Sequence, residues 1–402
     1  MVRNRVLYAL LFIAAVVFSM AYQSRVSAVL LVAVSLYPVI AFVLSVISLF
    51  TLNIGFGVGR AVHEKNEQFE LPVYIKNNFL FPFAPAELHC MLPDADTGLF
   101  LKKQVFVSVY PLKKMRIFVP CKHRYRGSYP VQILKLSVYD PFKLIRVSRK
   151  LDVRMQLVIL PRKIPLDSLG LVFGGDKGTV PEPVLNGDKE DFSHVREYAE
   201  GDMLQMIHWK LTAKQNELMI KQYDTNGDRR SVILCNFSGE SATPSAIMRR
   251  SDAVIETAVA VALSASRARI KTIADVGTAV NGVCEISDTG SFERYYDMMA
   301  VLPPDPETID FTQLVKKYAA VDSAAMFLIT PVINEEILTA AEAAAMRIAG
   351  TVVLIYVNCT GKSVGDMLSD DRRYLFAEVN GDADKGLPEA ADKILADYLG
   401  RR

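Results

Sequence analysis

The chain predicts two N-terminal transmembrane helices, then an all-β sandwich, then a doubly wound α/β domain. Three observations carry this. Two long apolar runs fill the first fifty residues, apolar and polar residues alternate with period two between about Glu64 and Pro161, and from Ser231 onward short wholly apolar runs alternate with helical stretches. The corresponding boundaries are a transmembrane hairpin over 1–60, a sandwich over 61–162, a linker and motif-bearing segment over 163–228, and the α/β domain over 229–402.

Val6 to Tyr22 and Ser27 to Leu52 are the apolar runs, each near the ~20 residues that cross a hydrocarbon core. Gln23-Ser24-Arg25 is too short to do more than turn the chain, so both ends emerge on one side. Before Glu64 there is no acidic residue. Arg3 and Arg5, with Arg60, His63 and Lys65, outnumber the lone Arg25 at the turn, and the positive-inside rule then places both termini and the large body in the cytoplasm. The alternative is a cleavable signal peptide, since Met1 to Ala21 has a basic start and small residues at Ser19 and Ala21, and it would export the body. Five well-separated cysteines, Cys90, Cys121, Cys235, Cys284 and Cys359, lack any metal or paired spacing and favour free thiols in a reducing compartment.

With 46 basic against 44 acidic residues, the net charge of +2 excludes the concentrated basic surface of a nucleic-acid binder. In the β region, runs over 69–75, 104–109, 115–119 and 134–138 alternate and are separated by Pro, Asn and Gly turns, as in an antiparallel sandwich. Lys163 to Lys189 is rich in Gly, Pro and Asp and reads as a loop. Its Gly174-Gly175-Asp176-Lys177-Gly178-Thr179 run lacks the spacing of a phosphate loop. Strands over 232–235, 269–276, 326–329, 352–357 and 374–379, with helices over 251–268, 335–349 and 388–399, give the α/β alternation and a parallel sheet.

Between the loop and this last region, Glu190 to Tyr223 concentrates charged and aromatic residues. It predicts an extended approach, a turn at Gly201-Asp202, a helix capped by Asp202 with Gln205 three residues on, a stop at Asn216, and a strand over 218–223. Arg196-Glu197-Tyr198, Gly201-Asp202, Ile207-His208-Trp209-Lys210, Thr212-Ala213 and Leu218 resemble the signature of a bacterial and archaeal family known as domain of unknown function 58. Arg126-Gly127-Ser128-Tyr129 and Asp140-Pro141-Phe142 resemble its upstream RG-x-Y and DPF elements, and Leu160-Pro161 stands where the family has Tyr-Pro. The resemblance spans about residues 60 to 400. It implies a membrane-anchored two-part body ending in a von Willebrand factor A-like domain. The partners it implies are a MoxR-type AAA+ ATPase and a transglutaminase-like membrane protein, beside the lipid bilayer.

Two readings of the signature stay open. Arg196, Glu197, Asp202, His208 and Lys210 can form an acid/base cluster for a hydrolase. They can equally form an ion-pair network or docking site with Tyr198, Gly201 and Trp209, the last serving as apolar anchor or as interface centre. No nucleophile with a dedicated base is evident, and His63, His89 and His123 are isolated. A-like domains that bind metal carry Asp-x-Ser-x-Ser after their first strand. Here Asn236, Ser238 and Glu240 occupy those places, a degenerate set, and Thr330-Pro331 follows a later strand without an Asp. A non-enzymatic adaptor without metal or other cofactor is therefore the expectation. A hydrolase and a metal-dependent ligand binder are the alternatives.

Overall fold

The computed structural model describes residues 1–22, 24–78, 83–94, 100–170, 172–173, 192–197, 209–215, 217–223, 230–239, 243–278, 282–321, 323–359, 361, 364, 368, 371–380 and 383–401. It divides into two compact units. One holds Met1–Arg162, Ser241–Asp252 and Asp297–Pro304, and the other holds Lys163–Glu240, Ala253–Tyr296 and Asp305–Arg402.

The first unit opens with α1 (Val2–Ala21) and α2 (Arg25–Thr51), both long and apolar enough to cross a membrane and both mostly exposed. Ser24 caps α2, its hydroxyl accepting from the Ser27 amide at 3.2 Å in a capping box. Tyr8 donates to the Val34 carbonyl, and the Tyr8 and Tyr37 rings lie 6.1 Å apart, so the helices run side by side. The last turns of α2 differ from the rest. Ala41, Ser45, Ser48 and Leu49 are buried, and Leu49 joins the apolar core of the strands that follow.

Those strands are β1 (Leu52–Phe56), β2 (Arg60–Glu64), β3 (Gln68–Asn77), β4 (Phe83–Pro93), β5 (Phe100–Val109), β6 (Lys114–Lys122), β7 (Gly127–Tyr139) and β8 (Arg146–Leu160). They form a sheet of order β1-β3-β6 and another of order β2-β8-β7-β4-β5. In β3, Phe69, Leu71, Val73 and Ile75 are buried while Glu70 faces solvent, the alternation that period two demands. The register sets Leu71 opposite Val119 and Val131 opposite Met155. Residues from both sheets, among them Leu71, Ile75, Leu88, Ile133, Leu136 and Leu157, build one core, each worth about 1.5–3 kcal/mol of burial. The pairing is not wholly antiparallel, since β2 runs parallel to β8.

His123 is 1% exposed, with Nδ1 2.9 Å from the Tyr125 carbonyl and its ring 4.2 Å from that of Tyr129. Burial lowers its pKa against the opposing pull of the Tyr125 carbonyl and Asp94. The unfolded chain therefore takes up a proton, near the ordinary value of about 6.5, that the folded chain refuses. Stability is full above that value and falls as pH drops toward the folded pKa, by at most about 1.4 kcal/mol per pH unit from this group. Urea midpoints measured between pH 7 and pH 5 are expected to show a shallower decline for His123→Gln than for the parent chain.

In the second unit, part of the segment expected to be a linker belongs to a core. Around a 3-10 turn at Asp167–Gly170, Ile164, Leu166, Leu169, Val172 and Phe173 are buried, and the Phe173 ring packs 4.8 Å from Phe327. Lys163 bonds Glu293 at 2.8 Å and lies over the Tyr296 ring. The remainder of the Gly-rich run lies outside the described residues.

β9 (Phe192–Glu197), α3 (Trp209–Gln215) and β10 (Met219–Tyr223) precede the main sheet. That sheet is built from β11 (Arg230–Cys235), β12 (Thr272–Asp275), β13 (Val283–Ile286), β14 (Ser323–Thr330), β15 (Thr351–Asn358) and β16 (Leu375–Asn380). Its order is β13-β12-β11-β14-β15-β16, with every pair parallel except β12–β13. The expected parallel sheet thus has one antiparallel edge. The connection over 276–282 is too short for a crossover helix, so the chain can only reverse. Val232, Met326, Phe327, Leu328 and Leu354 are fully buried, as strands covered on both faces require.

Helices α4 (Pro244–Arg267), α5 (Thr289–Val301), α6 (Phe311–Tyr318), α7 (Glu335–Arg347) and α8 (Ala383–Gly400) complete the chain. Asp310 and Asn334 cap α6 and α7 by accepting the Thr312 and Ile337 amides. Ile337, Ala341 and Ala344 line the inner face of α7 at helical spacing and meet Leu314, Leu328 and Leu354 in one cluster. None of the five cysteines, all among the described residues, is in a disulfide, and burial pushes the Cys90 and Cys121 thiols up to about 11, which keeps them protonated.

Candidate functional site

The signature segment forms an antiparallel two-stranded sheet flanked by a short helix. β9 pairs with β10, Glu197 opposite Met219 and Arg196 opposite Ile220. The expected strand over 218–223 is therefore present, and the extended approach is a strand too. Thr212 on α3 accepts the Met219 amide at 3.0 Å, tying the helix to β10. Tyr198, Gly201, Asp202 and His208 lie outside the described residues, as does the N-terminal part of the expected helix, which is described from Trp209. Trp209 and Lys210 open α3 and face solvent. Trp209 is 67% exposed, a surface aromatic.

The RG-x-Y element is a lock within the first unit. Arg126, 5% exposed, donates to the Met299 carbonyl at 3.1 Å, to the Leu302 carbonyl and to the Ser251 hydroxyl at 2.7 Å. Its backbone amide donates to the Asp252 carboxylate at 3.0 Å, and Lys65 pairs with the other oxygen of that carboxylate. Gly127 has φ +145°, and a Cβ there would meet the Tyr129 ring at 3.2 Å. Tyr129 donates back to the Arg126 carbonyl at 3.0 Å. Arg126, Gly127 and Tyr129 thus serve one turn, and the Arg126 guanidinium is engaged by two carbonyls and the Ser251 hydroxyl. The adjoining cleft, about 240 Å³ and lined by Tyr129, Met248, Leu302, Pro303 and Pro304 among others, is correspondingly apolar.

The DPF element closes the β7–β8 turn. Asp140, 2% exposed, accepts the Phe142 amide at 3.1 Å, the Ile145 amide at 2.6 Å and the Tyr37 hydroxyl at 3.0 Å. From α1, Asn4 donates to the Phe142 carbonyl at 2.7 Å and Arg5 to the Leu144 carbonyl at 2.9 Å. A polar cluster nearby escaped the sequence reading. Buried Glu87 accepts from Tyr139 and from Arg146 at 3.1 Å, with His89 3.3 Å away. These partners come from three strands, so no local spacing signals them, and they saturate one another.

At the carboxyl ends of the central strands, where open α/β sheets place ligands, the polar groups likewise bind each other. Asn236 donates to the Thr330 hydroxyl at 3.1 Å and accepts the Ser238 amide at 2.9 Å and the Ser238 hydroxyl. Asp275 accepts the Gly277 amide at 2.8 Å and the Tyr318 hydroxyl at 2.9 Å. Burial and then that bond push the Tyr318 pKa up. Glu240 lies outside the described residues, and among those described no group of three or more His, Cys, Asp and Glu can hold a metal.

Residues 194–355 match the family described as protein of unknown function DUF58. Of solved structures, the CARDB domain of the PF1109 protein of Pyrococcus furiosus, in complex with di-metal ions, is similar at 16% identity and TM-score 0.19, over 27% of this chain and 91% of that one. A human CEP192 ASH/PapD-like domain is similar at 11% identity and TM-score 0.17, over 27% and 83%. No curated protein matches the chain.

Proposed function

We propose that this chain is a membrane-anchored, non-enzymatic adaptor that docks a partner through its signature segment, with a MoxR-type AAA+ ATPase as the partner suggested by the family resemblance and remodelling of envelope proteins as the task. The observation that carries the reading is Trp209, the chain's single tryptophan, standing 67% exposed at the start of a short helix. An isolated exposed tryptophan contributes nothing to a core, whereas tryptophan and arginine dominate interface hot spots. The described polar clusters add support, because Arg126, Asp140, Glu87, Asn236 and Asp275 are each occupied by other protein groups.

The body is in this reading a sandwich of two β-sheets followed by a von Willebrand factor A-like domain on a cytoplasmic hairpin anchor. The sheet order, with the first strand central and the third antiparallel at the edge, supports the A-like assignment. Trp209→Ala is expected to abolish recovery of the ATPase with the detergent-solubilised chain while leaving its thermal transition within about 1 °C, as surface substitutions do. Undiminished recovery, or a collapsed transition, rejects the docking role.

A further inference from the structure

The hairpin meets the β-strand body before it has crossed the full depth of a hydrocarbon core. Tyr37 lies only about 18 Å along α2 from Arg25 at ~1.5 Å per residue, and Tyr8, whose ring adjoins that of Tyr37, marks the same level on α1. A hydrocarbon core is about 30 Å thick. Exposed apolar side chains continue beyond this level, with Val39, Ile40, Phe42 and Val43 on α2 and Val2, Val6 and Leu7 on α1.

At that level sits the β7–β8 turn. Asn4, Arg5 and Tyr37 hold it against both helices by hydrogen bonds to the Phe142 and Leu144 carbonyls and to Asp140. Phe142 projects from it, 61% exposed, its ring edge-on to Tyr37 at 5.1 Å. Pro141 and Lys143 beside it are exposed as well. The one acid of the turn, Asp140, is buried and engaged. An exposed aromatic flanked by a lysine is the composition of a membrane interface, where rings take the headgroup level and cations reach the phosphates.

We propose that the β7–β8 turn is a third membrane contact, with Phe142 inserted below the headgroups of the leaflet from which the hairpin emerges and the Lys143 ammonium reaching back to them. The occupant of this surface is the phospholipid bilayer. Any bilayer that covers the hairpin from its tip reaches the turn, so the β-sheets of the first unit are held close against the bilayer. This rests on the membrane-anchor reading above.

The full chain, reconstituted into vesicles with brominated phospholipids, tests it in a Trp209→Phe background carrying one new tryptophan. Phe12→Trp reports the hairpin, Phe142→Trp the turn, and Phe118→Trp an exposed position on β6. Blue-shifted emission with loss of most fluorescence at positions 12 and 142, and neither change at 118, is the expected result. Quenching at 12 with water-like, unquenched emission at 142 overturns the turn contact and leaves the anchor standing. No quenching at 12 overturns both.

Discussion

Replacing Lys65 with methionine is expected to lower the stability of the first unit by about 3–5 kcal/mol, because the buried Asp252 carboxylate would lose the ammonium it pairs with. The two side chains are 8% and 6% exposed. In a unit of this size that corresponds to a fall of about 6–20 °C in the calorimetric transition of the solubilised chain. Arg154 and Asp152 form the contrasting pair, at 2.6 Å but 65% and 66% exposed, and Arg154→Met is expected to cost less than about 1 kcal/mol. Adding Asp252→Asn to Lys65→Met removes the buried negative charge and keeps an acceptor for the Arg126 amide. The double variant is expected to recover most of the loss, and a double variant as unstable as the single would show that the cost is packing and not charge.

Asp140→Ala carries the second largest effect. The substitution leaves the Phe142 and Ile145 amides and the Tyr37 hydroxyl without their acceptor, at about 1–3 kcal/mol for each buried donor that water cannot reach. A local loss of about 2–4 kcal/mol speeds amide exchange in the turn over 142–146 by about 30- to 1000-fold. Asp140→Asn keeps one oxygen and is expected to fall between the two. Unchanged protection in Asp140→Ala would mean that packing of α1 and α2 holds the turn by itself.

Local periodicity made much of this molecule readable. The alternation in β3 and β6, the apolar blocks of β11, β14 and β15, and the helices α4 and α7 were visible because one or both faces of each are buried in a regular pattern. β8 was not, since five charged residues over Arg146–Arg154 mask its inward-facing Val147, Leu151 and Val153. β4 carries prolines at 85 and 93, and β13 is four residues long, so neither rises above a turn. The RG-x-Y and DPF elements were legible as motifs but silent about purpose. Arg126 finds its partners at Ser251, Met299 and Leu302, and Asp140 finds Tyr37, at separations that no window spans. The sequence left Trp209 open between apolar anchor and interface centre, because its exposure depends on surroundings that no local spacing reports.

The affinity of the purified, membrane-reconstituted chain for a purified MoxR-type ATPase tests the docking account most directly, measured with Trp209 and with alanine in its place. The account predicts saturable binding that weakens by about 30-fold or more on truncation, the effect of losing a hot spot of at least ~2 kcal/mol. No binding by the parent chain, or equal binding by both, contradicts it.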